Sequence, residues 1–103
     1  MIGLGTWKAT VHHSFYEGDI VFTVSDKNGE YCFDVDLKSF KEPPKFEVSN
    51  ITENGNRLEG DVKISIIPFK IKFHADFESD VMNGAMNIPF VGEIKIENAV
   101  RID

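Results

Sequence analysis

The chain is poor in the residues that staple, kink or anchor a protein: 103 residues include one cysteine, one tryptophan and four prolines. A lone Cys32 cannot close an internal disulfide, so nothing asks for an oxidising compartment. No apolar run approaches the ~20 residues of a membrane helix. The opening MIGLGTWKATVHH lacks a charged segment followed by an apolar stretch, so it does not read as a signal peptide. Together these absences predict a cytoplasmic protein. Basic residues are the minority, 11 against 17 acidic, for a formal net charge of −6. An acidic surface repels phosphate backbones and anionic lipid heads, which argues against nucleic-acid and membrane partners and for simple solubility.

Helical periodicity is missing too, and period-two alternation stands in its place. In FKIKFHADFE, Phe69, Ile71, Phe73, Ala75 and Phe77 share one face, and Lys70, Lys72, His74, Asp76 and Glu78 the other. EYCFDVDLK sets Tyr31, Phe33, Val35 and Leu37 opposite Cys32, Asp34 and Asp36. RLEGDVKISI sets Leu58, Val62, Ile64 and Ile66 against Glu59, Asp61, Lys63 and Ser65. EIKIENAVRI sets Ile94, Ile96, Val100 and Ile102 against Lys95, Glu97 and Arg101. Weaker strands cover Leu4 to His13, Gly18 to Asp26, Lys45 to Thr52 and Met82 to Ile88, giving about eight strands in one domain, 1–103.

Turn chemistry separates the strands. KNGE and ENGN contain Asn-Gly, suited to a primed hairpin turn, while Asn83-Gly84 marks either a third turn or a bulge. Strands apolar on one side fit a two-layer sandwich or a closed sheet. Short sequential connections favour neighbours pairing in order, so the expected fold is an all-β, antiparallel up-and-down barrel.

In such a meander alternate connections share an end. HHSFYEG, KSFKEPPK, IIPF and IPFVG then form one rim, and DKNGE, ENGN and ESDVMNG the other. The second rim is tight and hydrophilic. The first gathers Phe15, Tyr16, Phe40, Phe69, Phe90 and all four prolines. These rings either plug the barrel end or surround an opening into the apolar interior. Nine phenylalanines argue for a filled barrel, whereas small interior-register residues such as Ala9, Gly60 and Ala75 leave space.

Gly5-Thr6-Trp7 resembles the G-x-W signature of lipocalins and the wider calycin group, whose last strand carries an arginine that packs across the tryptophan at the closed end. Arg101 in AVRID holds the corresponding place, so the resemblance assigns Trp7 and Arg101 to a structural closed end. It implies a minimal, bacterial-style calycin-like barrel of the lipocalin or streptavidin plan, with its open end at HHSFYEG and a tendency to hold small apolar molecules. The chain lacks the disulfide pair and C-terminal helix of secreted lipocalins, and the resemblance brings no catalytic residue.

The candidate chemistry is sparse. Adjacent His12 and His13 point to opposite faces of a strand and cannot chelate one ion, while His74 lies on a polar face, so no metal and no cofactor are expected. Asp34 and Asp36 share a face, but it is the solvated exterior. Asn50 and Asn98 fall in apolar registers, where they either bond a ligand or satisfy a bend. No Ser-His-Asp set, phosphate loop or basic aromatic stripe occurs. His13 follows Trp7, Ala9 and Val11 in the inward register near the aromatic rim.

The expected function is binding of a small hydrophobic molecule inside the barrel, entering at the aromatic rim, with His13, Phe15, Tyr16, Phe22, Phe40, Phe69 and Phe90 as ligand-binding residues. Two alternatives stay open. One is a cofactor-free isomerase, cyclase or hydratase using His13 with a tyrosine. The other is a subunit module with a filled core, whose aromatic rim joins a partner or a second copy as a homodimer.

Overall fold

Alternating apolar and polar side chains can bury one face only in an extended chain, and the computed structural model is built from strands throughout. It describes all residues except Phe15, Pro43 and Asp103. The strands are β1 (Gly5–His12), β2 (Glu17–Lys27), β3 (Glu30–Leu37), β4 (Phe46–Asn54), β5 (Arg57–Ile64), β6 (Lys70–Glu78), β7 (Val81–Ile88) and β8 (Gly92–Arg101). All adjacent pairs are antiparallel, in the order β3-β2-β1-β8-β7-β6-β5-β4. The first strand therefore meets the last, with Trp7 opposite Arg101 and Lys8 opposite Val100. The result is an up-and-down barrel that is nearly closed. Its seam lies between β3 and β4, which share no ladder among the described residues.

Tight turns set one end. Asn28 and Gly29, with φ of 55° and 87°, join β2 to β3, and the Asp26 carboxylate accepts a hydrogen bond from Gly29 N at 2.8 Å. The ENGN turn is displaced by one residue from the Asn-Gly pair: Asn54 pairs with Arg57, leaving Gly55-Asn56 as the loop. Gly55 has φ of 62°, as glycine at the first central position of a primed turn requires. Ser79 and Asp80 connect β6 to β7, so Asn83-Gly84 lies within β7.

Two bulges break the simple period. The β4–β5 register shifts between Ser49 and Thr52, where Asn50 has φ of 53° and its amide donates to Asp61 at 2.8 Å. That bond is the main reason the Asp61 carboxyl lies below its ordinary pKa. The second bulge pairs Met82 with Ala99 and Gly84 with Ile96, with Asn98 at φ of 55° and its backbone N–H donating to the Asn83 side chain at 2.8 Å. Both asparagines satisfy bends. Beyond Asn98 the strand has slipped by one residue, so Ala99 is buried while Val100 and Ile102 face water. This corrects the inward register expected for those two residues: one added residue turns every later side chain to the other face.

The core is not uniform along the barrel axis. At the tight-turn end Trp7 is fully buried, its ring centroid 5.1 Å from that of Phe77, with Leu58, Val24, Met82 and Ala99 also buried. The segment before β1 folds across this end: Trp7 Nε1 donates to Gly3 O at 2.9 Å, Ile2 N donates to the Tyr31 hydroxyl at 2.8 Å, and Arg101 donates to Leu4 O. That half is filled. The half under the longer loops is not.

Candidate functional site

The four longer connections do gather at one end: Ile66 of the fifth lines one space with Tyr16 of the first and Phe40 and Pro44 of the third, and two ring contacts link the connections in pairs. Tyr16 lies 5.6 Å from Phe40, linking the first and third connections, and Phe69 lies 5.7 Å from Phe90, linking the fifth and seventh. Beneath them a chamber of about 150 Å³ opens into the barrel. Its wall consists of inward side chains near the loop ends of the strands: Val11, Ile20, Leu37, Phe46, Ile64, Met86, Ile94 and Ile96. Tyr16, Phe40, Pro44 and Ile66 form its upper edge. A second chamber of about 70 Å³ lies deeper, sharing Ile20, Phe46, Met86 and Ile96 with the first and adding Phe22, Phe33, Val35, Val48 and Phe73.

Alternation explains why this wall is apolar, since each strand sends every second side chain inward. Small residues shape the deeper chamber, where Ala75, Gly84 and Ala85 line one side. Gly60 does not contribute space, because the Phe73 ring fills the position: an added Cβ would lie 2.9 Å from that ring and 3.0 Å from Ser49 O.

Among the described residues the only hydroxyl on the wall of the outer chamber belongs to Tyr16, and it is engaged. It donates to Asp19 O at 2.7 Å and accepts from Ser39 N at 3.3 Å. Ser39 Oγ in turn donates to Glu17 O at 2.8 Å, and Lys38 N to Asp19 O at 3.0 Å. These bonds stitch the third connection to the start of β2. The approach is close enough that Gly18, at φ of 140°, has no room for a side chain, since a Cβ there would collide with Ser39. Among the described residues no buried side-chain polar atom lacks a partner, and no buried residue is charged.

The expected ligand-binding residues separate into groups. Tyr16 and Phe40 line the outer chamber, and Phe22 lines the deeper one. Phe69 and Phe90 pack on each other outside both, with Phe90 96% exposed. His13 is half-buried, its backbone N–H donating to Tyr16 O at 3.0 Å, and it lines neither chamber. Phe15 lies outside the described residues. Most of the wall comes from aliphatic strand residues that sequence reasoning left in the general core. Their signal was inward register combined with nearness to an odd-numbered connection. Among the described residues no group of three His, Cys, Asp or Glu side chains is placed to hold a metal ion.

A cleft runs along the seam on the outside, bordered by Tyr31, Cys32 and Phe33 of β3 and by Glu47, Val48 and Ser49 of β4. The Tyr31 hydroxyl crosses the seam to donate to the Glu53 carboxylate. Burial and then that bond push the phenol above its ordinary pKa, outweighing the bond donated by Ile2 N.

Among the described residues no helix is long and apolar enough to cross a membrane, a statement that concerns helices alone. No family model matches the chain, and neither a curated protein nor a solved structure matches it.

Proposed function

We propose that this protein binds a small hydrophobic molecule in the barrel interior, on a minimal calycin-like plan. One observation carries the reading: the 150 Å³ chamber is walled by carbon, and its one hydroxyl is already bonded twice within the protein. A cavity of roughly this size lined by aliphatic and aromatic side chains stays dry and accepts benzene or xenon. A ligand hydroxyl buried there would find no partner, and an unpartnered buried polar group costs about 1–3 kcal/mol. Selection is therefore by shape and by lack of polarity.

Catalysis has less support. The pair invoked for an isomerase or hydratase was His13 with a tyrosine, yet the imidazole is not on the chamber wall and the Tyr16 hydroxyl serves the loops. A docking module with a filled core is likewise less favoured than a binder, since the chamber is open space.

The test is titration of benzene against the protein, followed by shifts of methyl resonances. Ile94 and Ile96 methyl groups should move while those of Val24 at the filled end stay still. Ile96→Phe, which fills the junction of the two chambers, should abolish the shifts without unfolding the barrel. Benzene shifts of equal size at both ends, or unaffected by Ile96→Phe, would defeat the reading.

A further inference from the structure

A chamber needs a way in, and the aromatic rim is the more firmly tied of the two breaks in the barrel. Three hydrogen bonds join the third connection to the first connection and the start of β2, through Ser39 N, Ser39 Oγ and Lys38 N, and the Tyr16–Phe40 ring contact lies over them. Along the β3–β4 seam, by contrast, no backbone ladder forms among the described residues, and the hydrogen bond that spans it is Tyr31 to Glu53.

The deeper chamber reaches this seam from within. Phe33 of β3 and Val48 of β4 line both that chamber and the outer cleft, as does Val62 of β5 beside Val48. Among the described residues these three side chains stand between interior and solvent there, and Phe33 and Val48 face each other from the two unladdered strands. Among the described residues, parting these two unladdered strands breaks one side-chain hydrogen bond and some apolar contact. Lifting the third connection away from the first and from the start of β2 breaks three hydrogen bonds at once. Opening should follow the cheaper route.

We infer that the β3–β4 seam is a lateral portal: apolar ligands pass between Phe33 and Val48, and the Tyr31–Glu53 bond is its latch. The inference rests on the binding reading above. It replaces entry at the rim, leaving the rim as a fixed cap.

The native cysteine makes the test direct. Cys32 on β3 and Ser49 on β4 border the same cleft, so Ser49→Cys gives a pair that a short, cleavable bismaleimide can bridge in the folded protein. Benzene exchange is then followed by saturation-transfer NMR. Bridging should slow association and dissociation by at least about tenfold, with affinity held within about threefold, because a gate changes rates and not the bound state. Cleaving the bridge should restore both rates, and alkylating Cys32 alone should change neither. Tyr31→Phe, which removes the latch, should speed exchange at unchanged affinity. Benzene that binds but exchanges equally fast in bridged and open protein would overturn the portal alone. Benzene that binds neither form would overturn the binding reading, and the portal with it.

Discussion

The Arg101 guanidinium lies 4.5 Å above the centre of the Trp7 ring, joining the last strand to the first across the filled end of the barrel. The pairing of Trp7 with Arg101 in the ladder sets the two backbones side by side, and the guanidinium also reaches Asp80 at 3.2 Å and Leu4 O. A cation over an indole face is worth about 1 kcal/mol where solvent still reaches it. Arg101→Gln should therefore lower stability by about that amount in urea unfolding, at unchanged slope. Trp7, fully buried and on neither chamber wall, should emit at short wavelength and ignore benzene.

Tyr16→Phe separates loop structure from ligand contact. The ring is kept, but Ser39 N and Asp19 O each lose a partner. Stability should fall by about 1–2 kcal/mol, the scale of a hydrogen bond removed with its partner left behind. Benzene affinity should stay within about threefold, since a site that recognises hydrocarbon does not use this hydroxyl. A tenfold loss would mean that the hydroxyl meets the ligand.

Gly84→Ala should be more damaging than Gly60→Ala. At Gly84 an added methyl would lie 2.6 Å from His74 O, a backbone atom fixed in the sheet. At Gly60 the nearest atom, at 2.9 Å, belongs to the Phe73 ring, although Ser49 O follows at 3.0 Å. Overpacking against main chain costs about 1–3 kcal/mol, while a ring can turn to relieve part of the clash. Thermal midpoints of the two variants check the order.

Acid sensitivity should have a contribution from one ion pair. Arg57 grips both Asp76 oxygens, at 2.7 and 2.9 Å, and those bonds hold the Asp76 carboxyl below its ordinary pKa. A carboxyl whose pKa is lowered by folding stabilises the fold above its unfolded pKa, and that part is lost as pH falls through the folded value. The window thus lies below about pH 4. Asp76→Asn should flatten the dependence of the thermal midpoint on pH there. The pair is half-exposed, so added salt should weaken the effect.

Phe90 should be improvable. It is 96% exposed and sits at φ of 68°, a left-handed conformation costly for a bulky side chain. Phe90→Asn should raise stability by about 0.5–1 kcal/mol, since asparagine tolerates this region. The ring makes no wall of either chamber, so benzene affinity should hold.

How far the sequence carries depends on which features leave a period behind. The alternation of FKIKFHADFE placed β6 within a residue of its observed span, and the parity of the turns gathered Tyr16, Phe40, Phe69 and Phe90 at one end. Bulges leave a weaker mark. Asn98 looked like a polar residue in an apolar register, and only its positive φ explains why Ala99 turns in and Val100 out. The seam left no mark at all. β3 and β4 alternate like ladder-paired strands, because side-chain period records which face is buried and not whether an edge is bonded. The chamber wall escaped for a related reason: Ile94 or Met86 reads as core whether the space beside it is filled or empty.

The cyclic order of strands has one more consequence. β1 and β8 are neighbours in the middle of the sheet yet farthest apart in sequence, whereas β3 and β4 follow one another in sequence and form the two edges where the sheet stops. Joining the two ends of the chain and reopening it within residues 38–45 would give a circular permutant whose sequence order matches its sheet order from edge to edge. Every strand pairing would then be a local hairpin, sparing the search that now brings Trp7 to Arg101 across nearly the whole length. Topology of that kind shortens folding times.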